Sequence, residues 1–427
     1  MCVNGEFKNI VVDDYFPCKG GTLSPCFSQS KGFEMWVLLI EKAWAKINRN
    51  YESTIAGWCS EALRTLTGAP CYLISNKDSE DMWEQVVLAD KKKFIICASA
   101  AMEDMTDEEF KDMGLISNHA YSVISAVEVT TDDGPVRLLK VRNPWGHQEW
   151  TGDWSDNSDK WTPELAELLD LKVKDDGVFW IQLEDYVQYY NTTTICKMRE
   201  NFNMQSLRVS HPRGGSSAVL VTIKKPTKIY FTASQYRWRM FPRDNNYKAS
   251  FIKMILCKLG DAFAYEKYEY LDGRVTRAED TTVEAEEGRE PGRYIVWMEA
   301  EWEFEEINTI FFNTYADNEV ELEEIKLDPQ EFLPKVLLSC AMQKTKVKNY
   351  EAQGDENITR RMSISDARCE YGYVVYENKS KDGNALFELL RFTGLENYVL
   401  LDTGETPENL SVRVYPKETK IFVFKRT

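Results

Sequence analysis

Only three histidines occur in the sequence, His119, His147 and His211, so few side chains can move a proton near neutral pH. His119 opens the apolar run Asn118-His119-Ala120-Tyr121-Ser122-Val123, which reads as a strand carrying an imidazole at its tip. A second apolar run, Val136–Val141, leads into Arg142-Asn143-Pro144-Trp145-Gly146, and the polar turn Thr131-Asp132-Asp133-Gly134 between the runs suits a reversal of the chain. Neighbouring strands ending in His and Asn can hold an imidazole against a carboxamide. The amide then fixes the ring while the ring draws the proton from a nucleophilic thiol. A lone His at a strand end is ordinarily just a hydrogen-bonded residue. Asn143 and Trp145 on the facing turn shift this one toward chemistry. His147 and His211 read as loop residues.

These groups need elements to carry them. Phe33, Trp36, Val37, Ile40, Ala43, Trp44 and Ile47 recur at helical spacing and predict a helix with a wide apolar stripe that must be covered. Short helices are expected over 60–67, stopped by Gly68, and from Asp78 through Met82, Trp83, Val86 and Val87. Strands follow at Phe94–Cys97, 120–129, 136–141, 178–181 and 192–198, with a helix over 184–190. His211-Pro212-Arg213-Gly214-Gly215-Ser216-Ser217 is the best candidate for a boundary. Beyond it, short runs at 218–223, 228–234, 250–256, 293–299 and 309–315 predict a β-sandwich. Residues 372–376, 398–401, 410–414 and 420–425 predict a further strand-rich unit, with 341–366 as a polar loop.

Composition limits the partners. A net charge of −17 over 427 residues argues against a nucleic acid, which needs clustered Lys and Arg. No apolar run approaches the roughly 20 residues that span a bilayer, and the first residues lack a signal-peptide core. Ten cysteines without paired metal spacing point to reduced thiols in the cytoplasm.

Asn118–Val123 and Arg142–Gly146, followed by Glu149-Trp150-Thr151-Gly152 and Trp154-Ser155-Asp156, resemble the second half of the protease core of the calpains, the calcium-activated papain-like cysteine proteases. The likeness extends upstream through Val11-Val12-Asp13-Asp14, Glu34-Met35-Trp36, Asn50-Tyr51-Glu52 and Ser60-Glu61-Ala62-Leu63. A weaker likeness, at Ser234-Gln235-Tyr236-Arg237 and Pro291–Val296, reaches the calpain-type sandwich. The resemblance implies an α+β fold, a partial papain-like core followed by one or two antiparallel β-sandwiches. The expected division is 1–75, the end of the helical subdomain; 76–205, the β-rich subdomain; 215–328, the sandwich; and 333–427, a second strand-rich domain.

By the same resemblance His119 and Asn143 match the catalytic His and Asn, and Trp145 the tryptophan beside them. Ala56 and Gly57 fall on the segment lining the substrate cleft. The family's Asp-Cys-Trp segment and oxyanion-hole glutamine would lie before Gly5, so the chain reads as truncated, lacking the nucleophile and inactive alone. It also has no EF-hand loop of the penta-EF-hand type. Cys59, after Trp58 at a helix start, is the one alternative thiol. Glu149, Asp156 and Asp176 match carboxylates of a Ca²⁺ site, weakened by Val178 where the family often has another acid; Asp153 or Asp175 could assist, and Glu34 matches part of a second, incomplete site. Implied partners are protein substrates. The acidic stretch 299–306 with Asp280, Glu284, Glu286 and Glu287 is a candidate calcium-dependent phospholipid or protein contact. The implied activity is intracellular, calcium-dependent limited proteolysis; the alternative is a non-catalytic calpain-like regulatory or binding protein.

Overall fold

The computed structural model describes the chain except residues 30, 31, 33, 102–104, 261–267, 305, 306, 344–349, 352–356, 364–367, 369, 382–384, 394–396, 407 and 427, with backbone alone at 243, 350 and 351. Phe33, Glu305 and Glu306, and parts of 341–366, therefore lie outside the described residues. The fold is α+β, as expected. The chain divides into two compact units, essentially residues 1–201 and 202–427, with short exchanges near the start.

The first unit begins with the short strands β1 (Cys2–Val3) and β2 (Glu6–Phe7), then α1 (Trp36–Ile47) and α2 (Cys59–Thr67). Gly68 ends α2 in the left-handed conformation, φ 71°, and its N–H bonds to Arg64 O. Next come β3 (Cys71–Ser75), α3 (Ser79–Lys91), β4 (Ile95–Ala100), α4 (Asp107–Asp112), β5 (His119–Thr131), β6 (Gly134–Arg142), α5 (Pro163–Leu168), β7 (Val178–Gln182), α6 (Leu183–Tyr189) and β8 (Thr192–Cys196). Asp78 caps α3 by accepting from Asp81 N.

Six of these strands form one sheet in the order β3-β8-β4-β5-β6-β7. Alternation puts Ile96, Ala98, Tyr121, Val123, Leu139, Val141, Phe179 and Ile181 on one face, where Met82, Trp83 and Val86 of α3 and Tyr186 of α6 bury them. Leu138 and Trp180 point the other way, into a cluster with Trp154 and Trp161. A bulge at Ile124 shifts the β5–β6 register just inside the strand tip. The stripe expected on α1 is covered in part: Ala43 is buried and Val37, Trp44 and Ile47 are half-buried, whereas Trp36 and Ile40 stay on the surface, and Leu38 and Ala45, outside that stripe, are inside.

The second unit starts at β9 (Asn203–Ser210), earlier than expected. The turn at His211–Ser217 is not a boundary but the link from β9 to β10 (Ser216–Ile223). Then follow β11 (Thr227–Ser234), β12 (Phe251–Leu259), β13 (Tyr268–Arg277), β14 (Asp280–Arg289), β15 (Gly292–Glu301), β16 (Thr309–Ala316) and β17 (Val320–Ile325). They make two antiparallel sheets, β13-β12-β15-β10-β17 and β14-β11-β16-β9, which share a core of Val221, Phe231, Met254, Val296, Phe312 and their neighbours. This is the expected sandwich.

A helix that the sequence reading lacked, α7 (Pro329–Gln343), follows. After it come β18 (Tyr350–Glu351), β19 (Ile358–Ser363), β20 (Tyr371–Asn378), β21 (Leu386–Arg391), β22 (Tyr398–Leu400), β23 (Asn409–Val414) and β24 (Thr419–Arg426). The sheets β18-β19-β20-β24-β22 and β21-β23 enclose a small core around Tyr376, Leu386, Val412 and Phe424. Strand β19 falls inside the segment expected to be a loop. Among the described residues, no helix is long and apolar enough to cross a membrane.

His211 is fully buried in this unit rather than in a solvated loop. Ala300 N donates to its Nε2 (3.1 Å), so the ring proton sits on Nδ1 and bonds Ser217 Oγ (2.8 Å). Burial holds its pKa down at about 4. The unfolded chain takes up this proton first, so the stabilisation is complete above about pH 6.5 and declines as the pH falls toward 4. Urea unfolding of the second unit should lose about 1.3 kcal/mol from this group between pH 7.5 and 5.5. A His211→Asn variant should show a flatter profile over that range.

Candidate active site

The β5–β6 pair brings the two strand tips together. Ser122 faces Arg142 in the ladder, so His119 and Asn143 extend side by side beyond it. His119 Nε2 lies 3.0 Å from Asn143 Oδ1. The orientation of the amide follows from its other end, because Nδ2 donates to the carbonyls of His147 (2.8 Å) and Gln148 (3.1 Å). Oδ1 must therefore be the acceptor, and it also takes Trp145 N (3.1 Å). An oxygen that only accepts requires the imidazole proton on Nε2. The basic lone pair of the ring is then on Nδ1.

Asn143 is completely buried, and both ends of its backbone are tied: its N–H to Gly177 O (2.7 Å) and its carbonyl to Gly146 N (3.0 Å). Gly177 has φ +84°, and a Cβ there would meet Asn143 O at 2.6 Å and Gly146 Cα at 2.9 Å, so glycine is required. Glu149 Oε1 accepts from both Asp176 N (2.8 Å) and Gly177 N (2.6 Å), pinning the loop that pins Asn143. Sequence reasoning assigned Glu149 and Asp176 only to a metal. Their visible work is to hold this loop, and the hint was Gly177 beside two acids.

Around the imidazole stand Trp145, 4.7 Å between ring centroids, and Tyr121, 5.1 Å and edge-on. Trp145 itself is 53% exposed, so it covers one side of the pair while its own outer face meets solvent. Tyr121, which sequence reasoning missed, is fixed by Ile116 N donating to its hydroxyl (2.9 Å). Desolvation is the main influence on His119 and pulls its pKa below the ordinary value; the bond to Asn143 pushes the other way. Burial thus favours the neutral ring, the form a base needs. None of the described cysteines hydrogen-bonds to it.

The remaining candidates stand elsewhere. Ala56 (φ 58°) and Gly57 (φ 143°) form an exposed turn ahead of α2. Cys59, in the first turn of α2, has its thiol against Cys97, whose hydrogen bond is the main reason its pKa is lowered. Glu34 is exposed and accepts from Trp36 Nε1 (3.2 Å). Among the described residues, no group of three or more His, Cys, Asp or Glu side chains is arranged to hold a metal ion. Asp156 Oδ2 is engaged by Lys174 N (2.9 Å), and Asp176 Oδ1 by Val178 N (3.2 Å). Glu149 and Asp156 nevertheless share one field. Burial first, then neighbouring acids, hold both carboxyls above their usual range.

Several of the acids named for a contact on the sandwich are partnered. Glu299 is buried against Lys425 (3.0 Å), Glu301 pairs with Lys253 (3.0 Å), Glu303 pairs with Arg277 (2.8 Å), and Asp280 accepts from Ser234. Each of these charges is already answered by a neighbour.

Residues 1–197 match the family model described as calpain family cysteine protease. The calpain-1 catalytic subunit of Rattus norvegicus is 37% identical over 201 residues, 45% of this chain and 28% of that protein. The calpain-2 catalytic subunit of Bos taurus is 36% identical over 200 residues, again 45% and 28%. A calpain-type cysteine protease of Zea mays is 32% identical over 209 residues, 46% of this chain and 9% of its own length. The chain thus spans under a third of the length of these relatives. Residues 1–197 of this chain are similar to a segment of the calpain family cysteine proteases.

Proposed function

We propose that the first unit supplies the base half of a calpain-type cysteine endopeptidase site, with His119 as general base, Asn143 as its positioning partner and Trp145 as their cover. The observation that carries this reading is the 3.0 Å contact between His119 Nε2 and Asn143 Oδ1, with the amide locked by two carbonyls. In that tautomer Nδ1 takes the proton from a cysteine thiol, and the thiolate attacks a peptide carbonyl. The imidazolium then protonates the departing amine, and water, deprotonated by the same Nδ1, releases the acyl group. Protein substrates follow from that chemistry, and Ala56 and Gly57 are the backbone we assign to the cleft.

Calcium enters this proposal only as a regulator. Glu149 and Asp156, raised in pKa by burial and nearby acids, are carboxylates that a divalent cation would relieve; with Asp176 they would hold it. One oxygen of each is engaged by backbone N–H groups, and Asp176 Oδ2 also meets Lys174 Nζ (3.4 Å), a cation that a bound metal would displace. We place the activity in the cytoplasm, consistent with nine described cysteines none of which forms a disulfide.

The test is a chimera carrying the nucleophile-bearing segment of the rat calpain-1 catalytic subunit ahead of this chain, assayed with a fluorogenic peptide. The expected result is hydrolysis that His119→Ala lowers roughly 10²–10⁴-fold, while the unfused chain shows none. A folded chimera whose activity is indifferent to His119 would overturn the assignment. A folded chimera with no activity would favour the second reading, a non-catalytic calpain-like binding protein.

A further inference from the structure

The face of the six-stranded sheet opposite its main core carries a group of thiols that the site described above does not use. Cys71 on β3 and Cys196 on β8 lie directly opposite each other in the antiparallel ladder. The adjoining pair, Pro70 and Lys197, is hydrogen-bonded, Lys197 N to Pro70 O at 2.9 Å. Pairs alternate along such a ladder, so Cys71 and Cys196 occupy the non-hydrogen-bonded kind, in which Cα atoms come within roughly 4.5 Å and side chains are closest. That separation falls inside the roughly 4.4–6.8 Å that a disulfide spans. Cys196 also touches Thr67 Oγ1 of α2 (3.5 Å), the helix packed over β3 and β8. Cys97, two residues beyond the Ile95 that faces Cys196 on β4, shares this face, and Cys59 reaches it from α2.

The two partners differ in access and in acidity. Cys196 is buried, whereas Cys71 is half-exposed on the edge strand of the sheet. The hydrogen bond from Cys71 is the main influence lowering the pKa of Cys196, which readies the inner sulfur to resolve an oxidised Cys71, while the more accessible Cys71 meets the oxidant first.

We propose that Cys71 and Cys196 form an oxidation site, a dithiol that a hydroperoxide closes into a cross-strand disulfide. The Cys71 thiolate attacks the peroxide O–O bond and keeps one oxygen as a sulfenic acid; the other oxygen leaves and is protonated to water. The Cys196 thiolate then displaces hydroxide from the Cys71 sulfur, forming the S–S bond and, with a proton, a second water. The two thiols lose two protons and two electrons, and the peroxide is reduced to two waters. The bond would staple the edge strand β3 to its only neighbour in the sheet.

The experiment treats the reduced 427-residue chain with hydrogen peroxide under native conditions and maps peptides without reduction. The expected result is a peptide containing Cys71 joined to one containing Cys196 in most molecules, together with a rise in the thermal midpoint that dithiothreitol reverses. Cys71→Ser should lose both responses and Cys18→Ser should keep them. Recovery of Cys71 and Cys196 singly, as free thiols or as sulfinic or sulfonic acids, would overturn the proposal, as would Cys71 joined to a different cysteine. If Cys71→Ser fails to fold, the map of the unaltered chain decides alone.

Discussion

Asn143→Ala is expected to cost the first unit about 3–4 kcal/mol, because four hydrogen bonds of about 1 kcal/mol each end on this one side chain. The loss should be local before it is global. The carbonyls of His147 and Gln148 lose their donor, and the backbone N–H of Trp145 loses its acceptor, so hydrogen exchange over 143–148 should accelerate most. Asn143→Asp separates geometry from charge. Its second oxygen would face two carbonyls where the amide donates, an arrangement of acceptors against acceptors. It should therefore also destabilise, although it keeps an acceptor for the imidazole. In the active chimera, Asn143→Ala should lower turnover on the order of 10²-fold by letting the ring wander. Thermal or urea unfolding of the single variants checks the stability claim. A variant as stable as the parent would show that the four bonds are not made.

Phe332→Ala should have an effect of similar size in the second unit, about 3–5 kcal/mol. Phe332 is buried in α7, stacked on Trp297 of the sandwich at 5.0 Å and edge-on to Tyr268 at 4.9 Å. The same cluster takes in Leu333, Val336 and Leu337 from the helix and Tyr371, Tyr373 and Val375 from β20. The helix is thus the filling between the outer face of the sandwich and the C-terminal sheet. The physical consequence is cooperativity. In the parent chain the sandwich and the C-terminal strands should melt together; in Phe332→Ala the C-terminal strands should melt first. A calorimetric trace that remains a single transition at an unchanged midpoint would contradict this.

The site was legible because chemistry is scarce in this sequence. With three histidines and one Asn-Pro-Trp turn at the end of a hairpin, the pairing of 119 with 143 could be argued from strand periodicity alone. The residues that hold the pair in place were not legible. Gln148 and His147 act through backbone carbonyls, which leave no residue-type signature, and Gly177 leaves only its own identity as a hint. The acids hid a second role for a related reason: Glu149 reads as a ligand in sequence, and in the fold its carboxylate also serves two backbone N–H groups.

Elsewhere the fold overrode local patterns. Pro334 interrupts the apolar run of α7 and hid the helix, although Asp328 Oδ1 accepting from Gln330 N and Pro329 in the first turn form an ordinary start. Strand β14 was hidden by its charges. Thr281, Val283 and Ala285 turn inward while Asp280, Glu284 and Glu286 alternate with them on the other face, so the run reads as an acidic stretch unless period two is counted. The glycine and proline of 211–217 looked like a boundary and proved to be the passage of one strand to the next within the sandwich.

One spectrum tests the central claim, the ring state of His119. In the chain labelled with ¹⁵N-histidine, two-bond ¹H–¹⁵N correlations at neutral pH distinguish a proton on Nε2 from one on Nδ1. The structure predicts opposite tautomers for these two imidazoles: Nε2–H for His119, donating to Asn143, and Nδ1–H for His211, donating to Ser217. Nε2–H at His119, lost in Asn143→Ala and unchanged at His211, is the expected result. Nδ1–H at His119, or an averaged ring indifferent to Asn143, would contradict the account.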